Sequence, residues 1–476
     1  MRSAFLLAAP HSGAGKTTVT LALLAALTRR GLAVQPFKVG PDYLDPSHHR
    51  RLCGRPSHNL DTWMLPPEAN RSIFARAACA ADVAVVEGVM GLFDGVDGRR
   101  PEGSSADLAH LLGLPVVLVV DARAMARSAA ALVHGFGSFD PRVRLAGVIW
   151  NRVGSPSHRR ILDEALEDRG LPRSFGAVPR EEAAALPERH LGLVTPEDAD
   201  LPPDLEARLA RLAEDHLDLG ALLDATGAVC LPETAEPPAP APPSGRRKRI
   251  GVARDAAFCF YYEENLSLLE RAGAELVWFR PAEGDGVPPG LDGLYLGGGY
   301  PELRAKALGG NAAFRSGVRE LHDRGVPLYA ECGGFMALCE GLVDLEGRRH
   351  PMAGIFPTVA RMRGQRFRLG YREVEVRGVP ALEGQRARGH EFHYSHVEDM
   401  PAAVPRVYRV RTARGEELPP EGYALGATLG GYVHLHFASN PEFPLRLFGL
   451  MGGVTGDGVS PTGTMRPMGP LVFAQR

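Results

Sequence analysis

Ser12-Gly13-Ala14-Gly15-Lys16-Thr17-Thr18 decides the N-terminal fold. An apolar run over residues 3–9 leads into it and a helical stretch over residues 17–30 leads away. A buried strand feeding a glycine turn that opens a helix is a phosphate-binding loop. Gly13 and Gly15 let backbone amides wrap phosphate oxygens at a helix N-terminus. Lys16 is suited to the β- and γ-phosphates and the Thr17 hydroxyl to Mg²⁺. Gly13, Gly15, Lys16, Thr17 and Thr18 are therefore the nucleotide-binding candidates, with ATP and Mg²⁺ as the expected ligands. Pro10 stands where the usual pattern has its first glycine. A plain glycine turn would explain the two glycines, but not Lys-Thr-Thr placed directly after a strand.

Working outward, apolar runs at residues 33–38, 83–87, 116–120 and 145–151 alternate with helical stretches such as 17–30 and 128–136. Continuous apolar strands alternating with helices imply a mostly parallel sheet covered on both faces. Ligands bind such sheets at the strand C-termini. Three clusters lie there. Phe37-Lys-Val-Gly-Pro-Asp-Tyr-Leu-Asp45 follows the second strand and Val86-Glu-Gly-Val-Met-Gly-Leu-Phe-Asp-Gly95 the third. Asp42 and Glu87 are candidate oxygen ligands that, with Thr17, would complete a Mg²⁺ shell. Asp94 is a candidate for metal or substrate. Asn151 ends the fifth strand and offers an amide to an adenine edge. A single acid after a strand is more often a cap or a loop solvator. Three around one phosphate loop favour a site.

A second centre is written at Tyr329-Ala-Glu-Cys-Gly-Gly334. The apolar run 326–330 and the helix start after Gly333 put Cys332 on a sharp turn, exposed as a nucleophile. The helix N-terminus is expected to lower its pKa. The other five cysteines (53, 79, 230, 259 and 339) lack such a context and form no metal spacing. Leu296-Gly-Gly-Gly-Tyr-Pro-Glu302 is a glycine turn after a strand, so Gly298 and Gly299, with Gly333, are oxyanion candidates. A thiol nucleophile needs a base. His434 and His436 lie together in Tyr432-Val-His-Leu-His-Phe437, and two residues apart on a strand they share a face. Periodicity does not choose between them.

Bulk properties agree. At 476 residues and 45% apolar, two or three cores are expected. A formal charge of −2 argues against general nucleic-acid binding. No run reaches the length of a membrane span, so no membrane partner and a cytoplasmic location are expected. Only four residues are lysines, Lys16, Lys38, Lys248 and Lys306, and two of them fall in site motifs. A proline-rich stretch, Pro232 to Gly245, separates two α/β patterns. The expected division is an ATP-dependent amide-forming unit over 1–224, a linker over 225–249, a thiol-bearing unit over 250–448 and a flexible tail over 449–476.

In this order the motifs resemble the cobyrinic (or hydrogenobyrinic) acid a,c-diamide synthase family. Besides the two centres, Asn59-Leu-Asp61, Pro187-Glu-Arg-His-Leu-Gly-Leu193 and Gly389-His-Glu-Phe-His-Tyr-Ser395 carry the likeness. The resemblance implies an α/β fold of two domains. The first is like dethiobiotin synthetase and the second a class I glutamine amidotransferase domain. It implies glutamine and a corrinoid polycarboxylate as substrates, ammonia released at Cys332, and amidation through an acyl phosphate. It places Asp42, Tyr43, Leu44 and Asp94 in substrate and phosphate handling. It favours His434, in Tyr-x-His, as the base. A homodimer is a possible assembly. Many class I domains carry a glutamate two residues after the histidine; here that offset holds His436 or Ala438, so a Cys-His dyad is expected, dependent on the other domain. The arginines at 361, 363, 366, 368 and 372 suit a solvated strand face better than a carboxylate-binding patch. Cobyric acid synthase is the nearest rival enzyme, and a partitioning-type ATPase the rival of another class; the latter lacks a cysteine elbow.

Overall fold

The computed structural model describes residues 1–180, 202–229, 246–364 and 368–451, and a short pairing of Glu188–Arg189 with Gly192–Leu193. Cys230, Arg366, most of the 187–193 stretch, the linker from 230 to 245 and the tail beyond 451 lie outside the described residues.

Seven strands form the first sheet: β1 Ser3–Ala8, β2 Val34–Val39, β3 His58–Leu60, β4 Val83–Glu87, β5 Val116–Asp121, β6 Leu145–Val153 and β7 Ser174–Pro179. Their order is β3-β2-β4-β1-β5-β6-β7 and every pairing is parallel. The strands are buried on both faces, which is why they read as unbroken apolar runs. Helix α1, Lys16–Arg29, packs Val19, Leu23 and Leu27 into one core; α2, Leu44–Cys53, begins in the acidic loop after β2. The helix Leu219–Thr226 runs past the expected boundary at 224, and Gly227 still accepts the Ala4 N–H.

The second sheet has ten strands. Glu275–Phe279, Arg249–Ala253, Gly293–Leu296, Leu328–Glu331 and Thr428–Gly431 lie side by side and parallel. Glu417–Leu425, Arg406–Thr412, Arg368–Val376, Arg386–His393 and His434–Leu435 extend it antiparallel. The expected single strand through the two histidines is broken. Thr428–Gly431 pairs with the strand before Cys332, whereas His434–Leu435 pairs with His390 and Gly389. Of the arginine stretch, Arg361 is exposed and paired with Glu398. Arg372 is not solvated: it is buried against Glu391 at 2.7 Å. Residues to Leu450 pack into the second unit, so order extends beyond the expected boundary at 448.

The two units meet along a seam. The Tyr371 hydroxyl donates to Asp61 at 2.6 Å, and Arg388 lies over the Trp63 ring at 4.9 Å while donating to its carbonyl. Arg76 pairs with Glu264 at 2.5 Å and Arg50 with Glu263 at 2.7 Å. Among the described residues, no helix is long and apolar enough to cross a membrane.

Candidate active site

The phosphate loop closes around its own glycines. A Cβ on Gly15, at φ +92°, would fall 2.0 Å from the Asn151 amide nitrogen, so only glycine fits. That amide donates to the Ala14 carbonyl at 2.9 Å, and the neighbouring Arg152, at φ +59°, donates to Gly13 at 2.9 Å. Asn151 therefore braces the loop itself. Arg152 was missed in the sequence; its only signal is adjacency to Asn151 at a strand end. Gly13 also has positive φ, and Thr18 lies in the first turn of α1.

Lys16 Nζ donates to the Met90 carbonyl at 2.7 Å, and burial, then Lys38, lowers its pKa. The Thr17 hydroxyl donates to Glu87 at 2.8 Å. Glu87 is fully buried at the end of β4; its other oxygen meets His49 Nε2 at 2.8 Å. Lys38 lies 2.5 Å from Asp45, 3.2 Å from Glu87 and 3.9 Å from Asp42. Burial would strip its proton, but Asp45 and Glu87 reverse this and hold it charged. Burial would likewise raise Glu87, but Lys38 and His49 keep its carboxyl below the usual range. Asp42 accepts the Leu44 and Asp45 N–H groups in the first turn of α2 at 2.8 and 3.1 Å. Asp94 accepts the Gly91 N–H at 2.8 Å and fixes the loop that carries Met90. Thr17, Glu87 and Asp42 thus offer oxygen donors beside the phosphate loop. Among the described residues no group of three or more acids, histidines or cysteines closes into a metal cage. An open oxygen donor set fits Mg²⁺, which keeps waters and phosphate oxygens in its shell. Lys38, Asp45 and His49 were not singled out from sequence; two lysines in site motifs were the only hint.

At the second centre Cys332 sits at φ +47°, between strand Leu328–Glu331 and helix Gly333–Leu338. Its N–H donates to Gly431 at 2.8 Å. A Cβ on Gly334 would meet the Leu296 carbonyl at 2.2 Å, and one on Gly333 would lie 3.0 Å from the Gly299 nitrogen. The elbow and the glycine turn are therefore in contact. A Cβ on Gly298 would fall 2.4 Å from His434 Cε1, which brings the base candidate to the same turn. His436 goes elsewhere: its ring lies tilted against Tyr262, centroids 4.5 Å apart, on the seam. The structure separates the two histidines that periodicity could not.

The expected lowering of the Cys332 pKa is not found. Burial, then the Glu302 carboxylate, pushes the thiol up. A six-residue helix does not outweigh that desolvation. Burial, then His393, pulls His434 down to about 3, so the Cys332 thiol and the His434 imidazole both rest neutral. His434 Nδ1 has no hydrogen-bond partner among the described residues. Glu391, bonded to His393 and Arg372, stays ionised despite burial. Glu331, next to Cys332, accepts from the Tyr329 and Tyr295 hydroxyls at 2.7 and 2.9 Å. Neither acid was singled out from the sequence.

Tyr43 links the centres. It lies between Asp42 and the start of α2, but its ring faces the second unit. It stacks on Phe260 at 5.0 Å and touches His434 at 5.4 Å.

Comparison with known proteins agrees with this geometry. Residues 5–194 match the CobQ/CobB/MinD/ParA nucleotide binding domain, and residues 249–442 the CobB/CobQ-like glutamine amidotransferase domain. A cobyrinate a,c-diamide synthase of Syntrophotalea carbinolica is 48% identical over 92% of this chain and 96% of its own length. One of Salmonella typhimurium is 44% identical over the same shares. A hydrogenobyrinate a,c-diamide synthase of Streptomyces coelicolor is 42% identical over 92% of this chain and 95% of its own. A nucleotide-binding parallel sheet joined to a cysteine-elbow amidotransferase unit, matched over nearly its whole length by these relatives, places the chain in the cobyrinate a,c-diamide synthase family.

Proposed function

We propose that the protein uses ATP and glutamine to convert two acetate carboxylates of a corrinoid, cobyrinic or hydrogenobyrinic acid, to amides. The observation that carries this is the loop Gly40–Asp45. Its acids meet the Lys38–Glu87–Thr17 cluster beside the phosphate loop, while its Tyr43 ring meets the histidine beside Cys332.

Residues 250–448 supply ammonia. As glutamine enters, Cys332 Sγ attacks its side-chain carbonyl and the thiol proton passes to His434. Because both groups rest neutral, the ion pair forms only with substrate in place. Amides at Gly298, Gly299 and Gly333 hold the oxyanion. Ammonia leaves with the proton from His434, and water cleaves the glutamyl thioester to glutamate.

Residues 1–224 make the amide. Lys16 and the loop amides hold the ATP phosphates, and Asp42, Leu44 and Asp94 line the approach of the corrinoid. Mg²⁺, held by Thr17, Glu87 and Asp42, would supply charge neutralisation between the phosphates. The γ-phosphoryl group passes to a corrinoid carboxylate oxygen, giving an acyl phosphate and ADP. Ammonia attacks the acyl carbon, and phosphate leaves. Two rounds give the diamide.

The test is mass spectrometry of products from each corrinoid with ATP, Mg²⁺ and glutamine. Two mass changes of one amide each on either substrate support the reading. Turnover of glutamine and ATP with neither corrinoid amidated would overturn it.

A further inference from the structure

The base of the thiol centre has no carboxylate on its Nδ1, so something else must fix its ring. The structure shows what touches it. His390 stacks on His434 at 4.9 Å with planes 15° apart. Tyr43 meets His434 at 5.4 Å and His390 at 5.5 Å, closing a triangle of three rings. Phe260 backs Tyr43 in a stacked contact at 5.0 Å, and the Phe260 N–H donates to the Gly298 carbonyl at 3.0 Å. Gly298 is the residue on which His434 Cε1 rests. Two of these contacts come from the same unit as His434. Tyr43 alone comes from the ATP unit, and its backbone is fixed there: Asn59 donates to the carbonyls of Gly40 and Asp42 at 2.8 and 2.7 Å.

We infer that Tyr43 is a positioning residue for His434: the ATP-binding unit supplies the ring that orients the base of the glutamine-hydrolysing unit. Packing between rings does here what a hydrogen-bonded carboxylate does in a triad. An imidazole held by ring contacts keeps its productive rotamer while all the rings are in place. Its anchor lies one residue from Asp42 and two from Asp45, both within 4 Å of Lys38. The inference rests on the reading of Cys332 and His434 as the glutaminase pair.

The test uses the full chain and three variants, Tyr43→Ala, Tyr43→Phe and Cys332→Ala. Glutamate release from glutamine is measured alongside amidation driven by ammonium. Tyr43→Ala is expected to lower kcat for glutamate release by about tenfold or more, because a misplaced base loses its near-attack geometry. KM for glutamine should stay within about threefold, since uniform binding is untouched. Tyr43→Phe keeps the ring and should restore kcat to within about twofold of wild type. A cooperative thermal melt of Tyr43→Ala close to that of wild type shows that the variant is folded. Unchanged or faster glutamate release in Tyr43→Ala overturns the inference. So does loss of ammonium-driven amidation with glutamate release intact, which would make Tyr43 a substrate residue. If wild type and Cys332→Ala release glutamate equally, the glutaminase reading itself fails, and that outcome is distinct from both.

Discussion

Glu331 accepts the backbone N–H of Leu435 at 2.8 Å, so the residue before Cys332 holds the residue after His434. The same oxygen accepts the Tyr329 hydroxyl and the other oxygen accepts Tyr295. Elbow and histidine strand, separated by about a hundred residues of chain, share one buried carboxyl group.

Burial raises the Glu331 pKa from 4.5 to about 7, against the pull of the Leu435, Tyr329 and Tyr295 donors. The folded protein therefore binds this proton more tightly than the unfolded chain does. The contribution of that proton is full below about pH 4.5 and is lost as pH rises through 7, an order of about 3 kcal/mol. Glu331→Gln does not titrate. Denaturant unfolding at pH 5 and pH 8 should show wild type losing stability relative to the variant across that window. Parallel pH profiles for the two proteins would contradict the assignment.

Removing Lys38 should be severe. Lys38→Met leaves Asp42, Asp45 and Glu87 facing one another, with two of the three buried. Loss of one partner from such a cluster costs about 3–5 kcal/mol. Thermal melting should show a large drop, partly recovered by Mg²⁺ added with ATP, since the ion would supply replacement positive charge. A melting temperature equal to wild type would refute the cluster.

Gly298→Ala places a methyl group 2.4 Å from His434 Cε1. Glutamate release should fall by about a hundredfold, while amidation driven by ammonium continues. Steady-state assays with each nitrogen source separate the two.

Cys332 is buried and its thiol is pushed up, whereas Cys79 is exposed. Iodoacetamide at neutral pH should therefore label Cys79 before Cys332 in the resting protein, since the thiolate is the reactive form. Peptide mass spectrometry of a labelling time course gives the order. Faster labelling of Cys332 would mean that its thiolate exists without substrate.

Five of the seven strands of the first sheet were legible because buried parallel strands read as unbroken apolar runs, and their boundaries shift by only a residue or two; the edge strands His58–Leu60 and Ser174–Pro179 were not read. The phosphate loop and the cysteine elbow were legible because each is a local strand–turn–helix feature. What escaped depends on distant chain. Periodicity could not tell His434 from His436 because the chain leaves one strand after Gly431 and joins another at His434. The lowered thiol pKa failed because the burial of Cys332 comes from packing, not from its neighbours in sequence. Tyr43 was read with Asp42 and Leu44 as one motif, yet its ring turns to the other unit, a direction fixed only when the units dock. Glu331 was quoted in the elbow and given no role, because its donors come from Tyr295 and Leu435.

The seam bears on how the chain could be divided. A polypeptide starting near Arg249 contains the elbow, the glycine turn and both histidines, and by content it is a complete hydrolase. Made alone, it would expose Tyr262, Phe260 and His390 to solvent and lack the fourth ring, Tyr43. Split-chain complementation should therefore be all or none: two inert fragments that regain glutamine hydrolysis only on reassociation, with Asp61–Tyr371 and Arg76–Glu264 serving as the registration points between them.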